Sequence, residues 1–250
     1  MNGKLRSVTA IVFFAFAAII CSRAIGQQTA PEGNIGLGQC VGLSGAQIVS
    51  PFADRYSCVS LGSASGVESP YGGLTFKYND ANTLLIGGAA GSSAGRIYQI
   101  GVTRNATGHI TGFSGPARLY PSSASRIGQY NDGGVTFGPD DVLFVTRYPN
   151  NQIEESKPGS ATVNQLAELT PLGLPSSVGA LAFVPTGYPG AHRLKLVSFT
   201  GGGWYDLNYR PDGKGTFLLD APSLRASIGG GPEGIAFVPQ GSRYFLRIVS

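Results

Sequence analysis

Ionisable residues are scarce in this 250-residue chain. It carries 18 Lys and Arg, 14 Asp and Glu and 2 His, and its charged fraction is 13%, about half the usual share. Sulfur and imidazole ligands are scarcer. His109 and His192 are the only histidines, the cysteines number 3, and no CxxC pair occurs, so the usual spacing of a structural zinc site is missing. Long hydrophobic runs are also lacking. The longest apolar stretch, VTAIVFFAFAAII at residues 8–20, has 13 residues, too few to span a bilayer comfortably.

That stretch reads instead as the core of a secretory signal peptide. Lys4 and Arg6 precede it, and Ala24 and Gly26 supply small residues before a cut ahead of Gln27, the three-part pattern of an export leader. Cys21 raises a lipoprotein reading, but Ile20 before it is too bulky for that processing site. Residues 1–26 hold Lys4, Arg6 and Arg23 and no acid. The cut chain therefore keeps 15 basic residues (18 less 3) against 14 acidic ones, a net charge of +1. The whole-chain pI near 9.0 belongs largely to the leader, and it makes no case for nucleic acid or an anionic membrane as partner. Export implies a secreted protein, extracellular or periplasmic. Two cysteines survive the cut, Cys40 and Cys58, and an even count in an oxidising compartment predicts a disulfide between them.

What the chain has in abundance is glycine, 38 residues, with 16 prolines between short apolar runs. That composition favours many turns and short strands. One pattern recurs four times. Aligned on Phe76, Phe137, Phe183 and Phe237, the preceding residues are Thr75, Thr136, Ala182 and Ala236; then Leu74, Val135, Leu181 and Ile235; then Gly73, Gly134, Ala180 and Gly234. Large and small residues alternate with the period of a strand. Pro139, Pro185 and Pro239 end three of the copies, because proline cannot continue a ladder.

The anchors lie 61, 46 and 54 residues apart, spacings that suit the blades of a β-propeller. The predicted fold is all-β, with four-stranded antiparallel blades. The first unit offers GGLTF, TLLIGG, GRIYQIGVTR and HITGFSG or PARLY. The second offers GGVTF, VLFVTRY, QIEES and NQLAEL. The third offers GALAF, LKLVSF, WYDLNY and GTFLLD. Small residues beside large ones fit an inner strand near an axis where strands crowd, with the large column packing between blades.

Residues 59–250 resemble six-bladed propellers of the NHL-repeat and gluconolactonase-like kind, on the GG-x-T/A-F strand and its spacing. The resemblance implies further copies and a closed ring, with an N-terminal strand completing the last blade. On that pattern the chain divides into a signal peptide (1–26), an N-terminal segment with the disulfide and a candidate closing strand (27–60), and a propeller domain (61–250). The domain reads as incomplete, with about three and a half to four blades. An open arc exposes Ile235, Phe237 and an edge at residues 245–249, and so invites self-association.

Chemistry is thinner. GSSAG at residues 91–95 centres a GxSxG on Ser93, but a strand follows where a nucleophile elbow needs a helix, and a Gly/Ser loop accounts for it. Glu68, Asp132 and Glu233 stand just before inner strands. Carboxylates gathered at one mouth of a channel could hold calcium or zinc and polarise a lactone carbonyl; solvated turn acids are the plainer reading. The gluconolactonase-like resemblance implies acidic and amide ligands at that mouth, the first in an E-G-P. ESP at Glu68–Pro70 matches it in part, and Val178 and Gly179 replace the acid in the third copy. Trp204 and Tyr205 are candidates for an aromatic binding platform, or for packing. Asn105-Ala106-Thr107 is a glycosylation sequon. Two functions fit: a non-catalytic extracellular scaffold that binds a protein or small molecule, and, alternatively, a metal-assisted hydrolase of the lactonase type.

Overall fold

The structure is a computed structural model, described here for residues 38–45, 47–50, 53–54 and 56–237. The expected leader, the expected cut before Gln27 and the expected edge at 245–249 fall on residues outside the described ones. Two short strands, β1 (Cys40–Val41) and β2 (Cys58–Val59), pair in parallel. The predicted disulfide joins them, with Cys40 and Cys58 directly opposite and their Cα atoms 4.4 Å apart. Among the described residues β2 pairs with no other strand.

The described residues that follow include three four-stranded antiparallel sheets. The first is β3 (Leu74–Lys77), β4 (Asp80–Gly88), β5 (Arg96–Arg104) and β6 (Ile110–Leu119). The second is β7 (Asn131–Phe137), β8 (Leu143–Arg147), β9 (Gln152–Ser156) and β10 (Gln165–Glu168). The third begins with β11 (Val178–Phe183), β12 (Leu194–Ser198) and β13 (Gly203–Leu207). The first two sheets are meanders, and three of their turns carry asparagine or aspartate. Asn79, Asp140 and Asn151 adopt positive φ there, at 54°, 54° and 52°, a conformation their short polar side chains tolerate.

The third sheet departs from expectation at its outer strand. GTFLLD does not fill that place; Ser223–Ser227, β16, does. Instead β14 (Tyr209–Pro211) and β15 (Phe217–Leu219) form a separate hairpin. Asp212 fixes its turn by accepting hydrogen bonds from the Lys214 and Thr216 amides and the Thr216 hydroxyl. The hairpin is bound to the second sheet, because the Phe217 amide donates to Glu155 Oε2 at 2.8 Å. A buried carboxylate on a neighbouring sheet thus takes the donor that a ladder partner would have taken.

The period of two decides how the sheets stack. Leu143 and Val145 of β8 pack with Leu85, Ile97, Ile127 and Val135 towards the first sheet. Phe144, between them, packs with Ile153, Leu181, Leu196, Tyr205 and Phe217 towards the third. The middle sheet is therefore buried on both faces, which is why all of β8 is buried. The first strands β3, β7 and β11 lie beside one another, with the Gly73 amide donating to Asp132 O at 2.6 Å.

The repeated apolar column covers the preceding sheet in three of the four copies. Val135 closes on the first sheet, Leu181 on the second, and Ile235 on Ala180, Val197 and Trp204 of the third. No sheet precedes the first among the described residues, and Leu74 and Phe76 stay 50% and 40% exposed. The expectation that the whole column packs between sheets fails at this copy for that reason. Residues 231–237 form no strand. Among the described residues no helix is long and apolar enough to cross a membrane.

Candidate functional site

The glycines of the repeat explain one site. A Cβ on Gly73 would lie 2.5 Å from Gly133 O and one on Gly134 2.8 Å from Leu181 N; Cβ atoms on Gly133 and Gly179 would overlap the carbonyls of Glu233 and Pro232. Only residues without side chains let the backbones approach this closely. Asp132 and Glu233 are brought together by that approach. Burial pushes the Asp132 carboxyl up to about 7, with the Glu233 charge adding to the rise and a hydrogen bond from Gly133 opposing it. Two carboxylates that share a site resist joint ionisation.

Glu68 does not join them. It is exposed, its carbonyl accepts from the Ala89 amide, and its charge acts on Tyr98 of the first sheet. Among the described residues no group of three His, Cys, Asp or Glu side chains is placed to hold a metal. The anticipated three-acid ring is thus a pair. Ser93 sits in the exposed turn between β4 and β5 with no helix after it; its carbonyl accepts from Arg96 and Gln129.

Trp204 and Tyr205 are 6% and 7% exposed and occupy opposite faces of β13. Trp204 packs on Ala180 and Val197, and Tyr205 enters the core between the second and third sheets. Burial on both faces leaves no open aromatic platform there. Trp204 has a different use: the Lys195 ammonium sits over its ring, 5.6 Å from the centroid.

Lys195 leads to a second site that the motif search passed over. A groove of about 570 Å³ is lined by His192, Arg193, Asp206, Tyr209, Asp220 and Arg225, with Ala191 beside them; Leu207 borders it but turns its side chain into the core. Asp206 is its electrostatic centre. Its side chain is 8% exposed and meets three cations. Oδ1 pairs with Lys195, Oδ2 accepts from Arg225 Nε at 2.8 Å, and Arg193 Nη1 lies 3.5 Å from Oδ2. Burial opposes ionisation of Asp206, but Lys195 and Arg225 outweigh it and hold the carboxyl below its ordinary range.

Strand register assembles this cluster. Lys195 stands opposite Asp206 in the β12–β13 ladder. Arg225 is the extra residue of a bulge, since Trp204 pairs with Ala226 and Tyr205 with Leu224; bulges re-aim side chains in this way. Arg193 and Lys195 were recognisable as an alternating basic pair. Their acid and their third cation come from strands 11 and 30 positions beyond Lys195, at distances only the sheet register closes. No family model, curated protein or solved structure matches the chain.

Proposed function

We propose that this chain is an exported scaffold of β-propeller type that binds a small molecule rather than converting one. The groove on the third sheet carries the reading. It has the volume of a small-molecule site, which runs roughly 300–1,000 Å³, and it gathers convergent polar side chains around the Tyr209 ring. Its walls are strands and a pinned loop, so the site is largely formed before any ligand arrives. Three four-stranded antiparallel sheets stacked through their first strands, with glycine at each close approach, support the propeller architecture. The Cys40–Cys58 disulfide supports an oxidising compartment.

The test is a small-molecule screen by thermal shift and NMR, repeated on Asn208→Trp. Asn208 is exposed in the groove wall, and a tryptophan there fills the cavity from outside the core. Hits that perturb Leu207 and Tyr209 and vanish in the variant support the reading. An empty screen removes it.

One observation favours a second reading, a metal-assisted hydrolase of the lactonase type: Asp132 and Glu233 converge beside the first strands. Two carboxylates can anchor a divalent cation that takes its remaining ligands from backbone carbonyls and water. Metal analysis of the purified protein decides it. Stoichiometric calcium or zinc, lost in Glu233→Ala together with lactone turnover, supports the enzyme.

A further inference from the structure

We propose that the groove on the third sheet binds the oxyanion group of a small molecule, a carboxylate or a phosphate, between Arg193 and Arg225. The proposal rests on the binding-scaffold reading and names the chemistry of its ligand.

Charge is the first argument. Four cations, Arg193, Lys195, Arg210 and Arg225, stand in or beside the groove against two carboxylates. Arg210 and Asp220 answer each other at 3.9 Å. Asp206 is left facing three positive charges alone. Lys195, with a side chain 15% exposed, forms the inner pair with it, while the Arg193 and Arg225 side chains are 62% and 54% exposed. An added anion at that outer position restores balance without displacing the inner pair.

Donor geometry is the second. A guanidinium carries five N–H donors in a rigid fork. Both oxygens of Asp206 are already engaged, Oδ1 by Lys195 and Oδ2 by Arg225 Nε. The wall therefore holds more donors than its carboxylate can accept from. A carboxylate or phosphate supplies acceptors in the paired geometry that arginine matches best.

Preorganisation is the third. His192 is held at φ 67°, and its carbonyl accepts from the Tyr209 hydroxyl at 2.8 Å. The Tyr209 ring is gripped edge-on by Phe183 and Phe217, with centroids 5.4 and 5.6 Å away. Arg193 thus follows a fixed loop, and Arg225 is set by its bulge. The apolar surface of Ala191 and the Tyr209 ring suits the carbon part of a small ligand. A polyanion is disfavoured, because the positive charge is local and the chain after the leader carries only +1.

The probes are succinate and inorganic phosphate, titrated separately into the purified chain at low salt. The readouts are the arginine Nε–Hε and Tyr209 NMR signals. Saturable, mutually competitive shifts at Arg193, Arg225 and Tyr209 are expected, and the tighter probe identifies carboxylate or phosphate as the source. Arg193→Gln is expected to weaken binding about tenfold and Arg193→Gln with Arg225→Gln to abolish it at about 10 mM probe. Arg193 is exposed and its contact to Asp206 is long, so the single variant keeps the fold, which circular dichroism checks. No saturation by either probe, or an affinity unchanged in Arg193→Gln, overturns the proposal. A neutral or cationic ligand found in the groove overturns it too, yet leaves the scaffold reading standing; a groove that binds nothing removes both.

Discussion

Arg147 and Glu154 face each other inside the second sheet without sharing a hydrogen bond. Glu154 Oε2 lies 3.8 Å from Arg147 Nε. That Nε donates instead to Gln129 O at 2.9 Å, and Glu154 Oε1 accepts from the Gly128 amide at 2.6 Å. The pair ties the 128–129 turn to β8 and β9, with Glu154 fully buried.

Truncating Glu154 tests that tie. Glu154→Ala leaves the buried Gly128 amide without its acceptor and, once the carboxyl ionises above about pH 7, the Arg147 guanidinium without its counter-charge, a loss of about 1–3 kcal/mol. Glu154→Gln keeps an acceptor for Gly128 and is expected to cost markedly less. Urea unfolding midpoints of the two variants check the order.

The buried acids set the pH dependence of stability. Burial pushes Glu154 and Glu155 up to about 7 from 4.5, against opposing hydrogen bonds from Gly128 and Phe217. A carboxyl raised on folding binds its proton more tightly in the folded state. Its stabilisation is complete below pH 4.5 and is lost as pH rises through 7. Each group contributes on the order of 3 kcal/mol across that window. The melting temperature is therefore expected to fall between pH 5 and pH 8, with a smaller fall in Glu155→Gln, measured by calorimetry across that range.

Gly73→Ala is expected to cost about 1–3 kcal/mol, the range for overpacking, because its Cβ meets Gly133 backbone 2.5 Å away. Gly112→Ala is the control. Its nearest neighbour is the Thr103 hydroxyl at 3.3 Å, on an outer strand, and its change in denaturation midpoint is expected to be small.

The Asp132–Glu233 pair has its own signature. Carbon-detected NMR of the Asp132 carboxyl is expected to show titration near 7. Glu233→Gln removes the like charge and lowers that value, but only in part, since burial is the larger cause. A titration unmoved by Glu233→Gln separates the two carboxylates.

Much of the fold was legible in the chain because it is local. Alternation of large and small residues marked β3, β7 and β11, and Pro139 and Pro185 marked the ends of the second and third of them. Cysteine parity predicted the Cys40–Cys58 bridge. Glycine at the crowded positions was readable too, since a missing Cβ is a property of the residue itself.

Tertiary structure decided what depends on register and on neighbours. Leu74 and Val135 hold equivalent places in the repeat, yet one is exposed and the other buried, because only the second has a sheet before it. GTFLLD has the pattern of an outer strand, but Glu155 captures the Phe217 amide and a later segment takes the place. Asp132 and Glu233 meet while Glu68 stands apart, since backbone approach at Gly133 fixes the distance. Arg193, Lys195, Asp206 and Arg225 become one cluster through a ladder and a bulge. Strand patterns arise from contacts between residues two apart; this cluster arises from contacts across sheet partners, whose pairing no single stretch of the sequence encodes.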